Sequence, residues 1–512
     1  MKNIKKVTAI LLSLILCLSF TSVAFAAAED GSYVISNPYK NINWDTVNSY
    51  KTALHTHTNA SDGDDNLKAS VERHAQTGFD IVATTDHGTV NYSWGEENVN
   101  SLIYGVMSLV GKSEGDIVYL SDSGTFSDGT AYTYGTENGD DYLTLDSGKK
   151  ILRVPFGIEN NAVSVNAHVN SWFVDYVNNS VTTYEDAVIG VHKKGGVSVI
   201  NHPGEYTKAR YELHSEDAYN DSNPVYNYYI NKFATLINEY DSCIGIDINS
   251  KGDNRTRFDR ILWDNLLQRF SANGDTVYAI ASSDAHQLSV INTGFTVALM
   301  EEQTSAALKN CLLNGEFFAA SHCIGNYDEL VDIAAALKEF YGETQLYKNV
   351  NETALAMAAK IEGIENGEYD ADESIGITYE VVDGEGFSIY DTDPMISSIT
   401  VNEATDEITL NTEDALLVRW ISNGKLICTQ KADEATIDLN DYADELGNYI
   451  RAEVFGEGGI LYTQAFILNA DANAGTANPV KGTYVNLGVL DFLFAEFNNW
   501  YAIIARFFAA LV

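Results

Sequence analysis

LHTHTNASDGD, residues 54–64, is the stretch from which the rest of this chain is read. It follows the apolar run Thr52-Ala53-Leu54, where a buried strand ends and a loop begins. His55 and His57 are two apart. On an extended backbone, side chains at i and i+2 point the same way, so both imidazoles face one point. Imidazole is the commonest metal ligand type. Asp62, five residues after His57 in a Gly/Asp/Ser turn, brings a carboxylate back to the same place. A single H-x-H is weak by itself, and its meaning depends on whether the rest of the chain supplies further ligands.

Outward from this stretch, residues 50–325 alternate β-rich runs with helical patterns. The runs are YKTAL (50–54), DIVATT (80–85), KILRVPFGI (150–158), GVSVI (196–200), CIGIDI (243–248), VYAIA (277–281) and GFTVAL (294–299). Helical periodicity fills 66–78, 184–196, 226–241 and 255–274. Near-continuous apolar strands alternating with helices predict a parallel sheet covered by helices, closed into a barrel. The active site of such a barrel lies where strands end and helices begin. Two stretches break the rhythm: 89–149, rich in Gly, Ser, Thr, Asp and Tyr, and the Tyr-rich 205–225. A segment as long as the first is expected to be a functional lid or an ornament.

Ligand-type residues follow strand after strand. DIVATT leads into Asp86-His87-Gly88, and the third run into Glu159 with His168 nine residues on. GVSVI leads into Asn201-His202-Pro203-Gly204, and VYAIA into Ser283-Asp284-Ala285-His286. Six of the 10 histidines stand at these ends. Of the others, His74 and His192 fall inside helices as packing or surface residues, and His214 and His322 fall in loops. Nitrogen and carboxylate donors without thiolate suit Zn, Mn or Fe. Six imidazoles with Asp62, Glu159 and Asp284 are too many for one tetrahedral ion and match two or three. Clustered ions of this kind do hydrolytic chemistry.

The ordered set LHTHTNASDG, TTDHG, GIE with HVN, NHPGE and SSDAH resembles the PHP family, named for polymerase and histidinol phosphatase, over about residues 50–325. The resemblance implies a distorted (β/α)7 TIM-like barrel with a trinuclear metal centre. It implies one ion held by His55, His57, Glu159 and Asp284, a second by Glu159, His168 and His202, and a third by Asp62, His87 and His286. Glu159 would bridge the first two, a hydroxide between ions would be the nucleophile, and Glu159, His202 and Asp284 would form the catalytic set. Asp62 stands where other members carry His, and the stretch between His87 and Glu159 is longer than in compact members. The HVN motif and the trailing β-region look most like an exported branch related to carbamate and aryl-ester hydrolases. Asp86 and Asn201, each beside a ligand histidine, are expected to orient a ring and fix its tautomer. Lys208 and Arg210, just past NHPGE, are the nearest basic candidates for an anionic substrate group, with plain surface solvation as the alternative.

Composition narrows the function further. With 31 Lys+Arg against 72 Asp+Glu the net charge is −41, which repels nucleic-acid phosphates and anionic membranes. A nucleic-acid partner is therefore not expected, and a small-molecule ester is. Lys2, Lys5 and Lys6 precede an apolar run from Val7 to Val23 and then Ala24-Phe25-Ala26, which together predict a secretory signal peptide over 1–26. Cys17 lacks the small residue that lipobox processing needs. The expected location is secreted or at the cell surface of a bacterium. Cys243, Cys311, Cys323 and Cys428 are scattered and predict neither a disulfide framework nor a thiolate zinc site.

The predicted organisation is a signal peptide (1–26), a barrel (40–326) with the 89–149 insertion, and a helical connector (327–370). A β-sandwich (371–470), a polar linker (471–486) and an apolar/amphipathic helix (487–512) follow. Short strands with turn signals carry the sandwich reading, with Asn423-Gly424 as a two-residue hairpin turn. Asp491, Asn498, Asn499 and Arg506 argue against a membrane-spanning final helix. They suit one that lies at a membrane surface, docks a partner or packs on the sandwich. The leading functional expectation is phosphoester hydrolysis. Carbamate, carboxyl-ester or amide hydrolysis on the same metals is the second, favoured by the poverty of Lys and Arg around the motifs. A non-enzymatic surface or glycan-binding role is the third.

Overall fold

The computed structural model describes residues 33–469 apart from 97–98, 101–103, 106–107, 110–115, 162–166, 178–182, 370–375 and 381–392. The signal peptide, the polar linker and the final helix therefore lie outside the described residues. No helix among the described residues is long and apolar enough to cross a membrane.

The architecture is mixed α/β. Strand β1 (Asn48–Ala53) pairs in parallel with β2 (Ile81–Val82), which pairs in parallel with β3 (Lys150–Arg153). Pro155 follows β3, has no N–H to give a ladder, and divides the expected third run from β4 (Ile158–Glu159). Strands β4, β5 (Val169–Trp172), β6 (Val197–Ile200), β7 (Cys243–Asp247) and β8 (Tyr278–Ile280) form a second sheet. Strand β9 (Gly294–Met300) returns to the first, antiparallel to β1.

Besides this antiparallel pairing of β9, two features depart from the all-parallel expectation. Glu159 and Val169 are too close in sequence for a crossover helix, so β4 and β5 pair antiparallel, as do β5 and β6. The ladders also form two sheets rather than one ring. Isolated bridges at Thr56–Ala285, His87–Glu159 and Asn91–Gly157 join them. These bridges lie in the loops that carry the ligand motifs.

Helices cover the sheets on the apolar faces the periodicity indicates. Thr183 caps α1 (Tyr184–Lys194) with a full capping box to Asp186, and Gly195 ends it at φ 76°. Helices α2 (Pro224–Glu239) and α3 (Asp259–Ser271) bury Tyr229, Phe233, Leu262, Trp263 and Leu266 against β7 and β8. The 89–149 insertion is not a lid over its described length. Strands Ser123–Thr125, Ala131–Glu137 and Asp140–Leu145 run antiparallel and extend the first sheet from β3 outward.

After helices α4 (Tyr327–Tyr341) and α5 (Gln345–Glu365), two β-layers face each other across a shared apolar core. One is the three-stranded sheet of Met395–Asn402, Glu407–Glu413 and Thr436–Asp438. The other continues the first sheet, because Gly459–Tyr462 pairs antiparallel with Phe317–Ser321. The chain's first described strand, Ile35–Ser36, pairs with Phe466–Leu468 in this layer. Asn423 and Gly424 turn the hairpin between Leu417–Ser422 and Lys425–Lys431 with φ of 51° and 68°, the double positive φ that favours this dipeptide.

A buried charge network joins the layers. Arg260 binds Asp253 (3.0 Å) and Glu329 (2.5 Å), and Arg419 reaches Glu329 (3.4 Å) and Glu453. Arg451 pairs with Glu453 (2.7 Å) and Asp264 (2.7 Å). All seven side chains are nearly inaccessible to solvent.

Candidate metal centre

The nine side chains singled out by the motifs converge at one end of the strands. His55 Nε2 and His57 Nε2 stand 3.0 Å apart. Asp284 Oδ1 lies 3.2 and 3.0 Å from them, and Glu159 Oε2 lies 3.5 and 3.4 Å away. A tetrahedral ion with bonds of about 2.0–2.1 Å sets its donor atoms about 3.4 Å apart. The donors of His55, His57 and Glu159 therefore have the spacing of a ligand shell, and these residues fit a divalent ion. Glu159 Oε1 turns the other way, 2.9 Å from His168 Nδ1 and 3.3 Å from His202 Nε2. His202 also approaches Asp284 (3.7 Å) and groups with His55 and Asp284, while Glu159 and His168 group with His87, a partition different from the expected Glu159, His168 and His202 set. Around Asp62 Oδ1 stand His286 Nε2 (3.3 Å), His87 Nε2 (3.5 Å) and His57 Nδ1 (3.6 Å).

Local backbone explains the convergence. The bridge between His87 and Glu159 brings two strand ends side by side, with Gly88 N donating to Glu159 O (2.9 Å). His57 N donates to Ala285 O (2.9 Å), which locks the first motif onto the last. His202 and Asp284 adopt φ of 26° and 46°, conformations rare outside glycine that a surrounding structure must hold.

Charge follows from burial opposed by neighbours. Burial alone would raise the carboxyl of Glu159, but His168, His55 and His87 hold it well below the usual range. Burial is likewise outweighed at Asp284 by Lys251, His55 and His286, and at Asp62 by His87 and His286. Burial pushes His168 down to about 4, which keeps that imidazole neutral and free to ligate. His87 goes the other way, well above its usual value, because Asp62 and Glu159 outweigh its burial.

Asp86 accepts from Thr58 N and Oγ1 (2.8 Å each) and from Ser61 Oγ (2.7 Å), so it fixes the backbone of the first motif rather than a ring. Asn201 donates to Glu159 Oε1 (2.8 Å), orienting a carboxylate instead of a histidine. Lys208 serves as the left-handed C-cap of Pro203–Thr207, and Arg210 stacks on Tyr211 and reaches Glu205 (3.4 Å). Neither lines the cavity of about 630 Å³ that opens over the cluster. Lys251, Arg255, Glu205 and Tyr206 do; Glu205 closes the NHPGE motif but drew no site role, and the motifs did not mark the other three. Among the remaining histidines, His74 is buried on Ser70 O (2.7 Å), His192 meets Ser242 (3.0 Å), His214 pairs with Glu365 (2.9 Å) and His322 with Asp393 (2.7 Å).

No family model and no curated protein matches the chain. Solved structures do, at low identity. A two-domain protein from Bacteroides vulgatus, described as containing a predicted PHP-like metal-dependent phosphoesterase, is 14% identical with a TM-score of 0.33, over 83% of this chain and 88% of that one. PsfC from Pseudomonas syringae is 13% identical with a TM-score of 0.30, over 52% and 88%. The lesion-specific endonuclease PfuEndoQ from Pyrococcus furiosus is 12% identical with a TM-score of 0.26, over 51% and 55%. The description of the first names the family that the motif order of this chain resembles.

Proposed function

We propose that the chain is a secreted, PHP-type metal-dependent phosphoesterase with its (β/α)7 barrel opened into two sheets. The observation that carries the reading is the donor cluster, in which one buried carboxylate, Glu159, faces imidazoles through both of its oxygens. His55, His57, Glu159 and Asp284 would hold one ion, Glu159, His168 and His202 a second, and Asp62, His87 and His286 a third, with Zn, Mn or Fe as the candidates. Divalent ions held there supply Lewis acidity toward water and toward the ester oxygens.

The chain's own residues orient and exclude. Asn201 fixes Glu159, and Asn161 Nδ2 stands 2.8 Å from His168 Nε2. Tyr206 lies 3.3 Å from His168 Nδ1, and burial, with Glu205 and Glu159 nearby, raises its phenol so far that it remains an O–H donor. Asp62 and His286 keep 20% and 27% of their side chains exposed while the other donors are almost closed off, so substrate enters along that edge. Lys251 and Arg255 on the cavity wall favour an anionic ester over a neutral one and remove the argument from a shortage of cations.

The test is elemental analysis of the purified protein together with hydrolysis of a phosphomonoester, a phosphodiester and a carboxyl ester. Two to three ions per chain and cleavage of a phosphoester are expected. A metal-loaded protein that splits only the carboxyl ester would refute the phosphoesterase reading, and one that binds no metal would refute the hydrolase.

A further inference from the structure

Strand β7 ends in a turn unlike the others. Lys251, Gly252 and Asp253 follow one another at φ of 57°, 58° and 61°. Only glycine adopts this region freely, so a lysine and an aspartate there must be held by their surroundings. Arg260 does this, binding Asp253 Oδ1 (3.0 Å) and Asn249 Oδ1 (2.6 Å), while Thr256 Oγ1 donates to Ser250 O (2.5 Å).

The held turn delivers the Lys251 ammonium onto Asp284 Oδ2, with Glu205 Oε2 3.4 Å away. Arg255 Nη1 sits 2.7 Å from Glu205 Oε1, with Arg210 at 3.4 Å on the same oxygen. Three cations thus share one glutamate, and two of them, Lys251 and Arg255, line the cavity, in a chain of net charge −41. We infer that Lys251, with Arg255, is the anion-receiving wall of the site and selects a phosphomonoester dianion over a diester. The inference rests on the hydrolase reading above.

Two arguments carry it. Lys251 touches a carboxylate that the cluster needs as a ligand, and a divalent ion at Asp284 would repel an ammonium in contact with it. Glu205 is then the partner left to Lys251, and Glu205 is already shared. Second, a terminal phosphate presents several charged oxygens. An ammonium with three donors beside a guanidinium fork meets that charge better than it meets a singly charged diester.

The experiment uses full-length protein loaded with Mn or Zn, compared with Lys251→Gln, Lys251→Arg and Arg255→Gln. Metal content, inorganic phosphate affinity by calorimetry, and kcat/KM for p-nitrophenyl phosphate and bis(p-nitrophenyl) phosphate are measured. Lys251→Gln is expected to retain its metal, to bind phosphate about tenfold more weakly, and to lower the monoester-to-diester ratio about tenfold. Lys251→Arg should restore much of both. An unchanged ratio and phosphate affinity would overturn the inference. Loss of metal from Lys251→Gln would also overturn it, making the lysine a prop for Asp284. A wild-type protein that cleaves p-nitrophenyl acetate but neither phosphoester and binds no phosphate would sink the phosphoesterase reading itself, a different result from a phosphatase indifferent to these substitutions.

Discussion

Glu159 Oε2 lies 2.8 Å from His87 Nδ1 across the bridge that joins the two sheets. The same carboxylate carries His55 and His57 on Oε2 and His168 and His202 on Oε1. A single side chain therefore ties three strand ends and the donor groups together. Structure and chemistry meet at this residue.

Glu159→Gln keeps the shape but removes the charge that offsets five imidazoles. Metal content should fall, and hydrolysis should drop more than about 100-fold, the upper end for residues that only orient a ligand. Asn201→Ala, which frees Glu159 Oε1 of one donor, should cost about 10–100-fold in metal affinity with little change in fold. Elemental analysis and circular dichroism separate the two cases.

Ion binding should stabilise the fold, because the donors lie buried on several strand ends that must be held together against mutual charge. At 100 times the dissociation constant the gain is about 2.7 kcal/mol. Thermal melts with Zn, Mn or a chelator measure it, and equal midpoints with and without metal would contradict it.

Lys51 is fully buried, with its ammonium over Phe79 and Phe295 and donating to Thr77 O (3.2 Å). Burial pulls it from 10.5 down to about 7, only partly opposed by Asp393 and Asp80. Between about pH 7 and 10.5 the unfolded chain holds a proton that the folded chain does not, so this residue's contribution rises with pH across that window. Lys51→Met should be more stable than wild type at pH 7, by about 1–4 kcal/mol, with the advantage shrinking toward pH 10. Denaturant unfolding at both pH values measures the difference.

Arg451→Ala removes the partner of both Asp264 and Glu453 in a dry interior. A loss of about 3–5 kcal/mol is expected, against a much smaller loss for an exposed pair such as Lys338 with Glu343. Chemical denaturation of Arg451→Ala and Lys338→Ala compares them directly.

The convergence of the candidate donors was legible because most of them lie at or shortly after a strand end, and strand ends of this architecture share a face, although His168 stands just before β5 and Asp62 nine residues past β1. All nine candidates arrive there. The cation wall was not legible for the opposite reason. Lys251 lies four residues past β7 in a turn whose left-handed course has no signature beyond Lys-Gly-Asp, and a long side chain bridges the remaining distance. The strand-end rule that found His87 and Asp284 would have reached it had lysine been admitted beside the ligand types. Lys208 and Arg210 looked nearer in sequence, but the short helix Pro203–Thr207 turns Lys208 into a cap and takes both off the cavity. No run marked β5, whose short connection to β4 makes that pair antiparallel, and β9 runs antiparallel to β1 against the parallel expectation. The 89–149 stretch was expected to be a lid or an ornament because its composition is that of loops, although Tyr132 and Leu143 are buried on strands that extend the first sheet.

The ion network between the helices and the C-terminal strands sets where this protein can be divided. Asp264 lies in α3, over the sheets that carry the donor cluster, yet its counter-charge, Arg451, comes from the C-terminal strands. A fragment ending near residue 326 would leave Asp264 without Arg451, and Arg260 without Glu329 though still on Asp253. The C-terminal strands are thus no detachable module. Grafting them onto another enzyme, or pruning them from this one, means redesigning those charges as well as the linker.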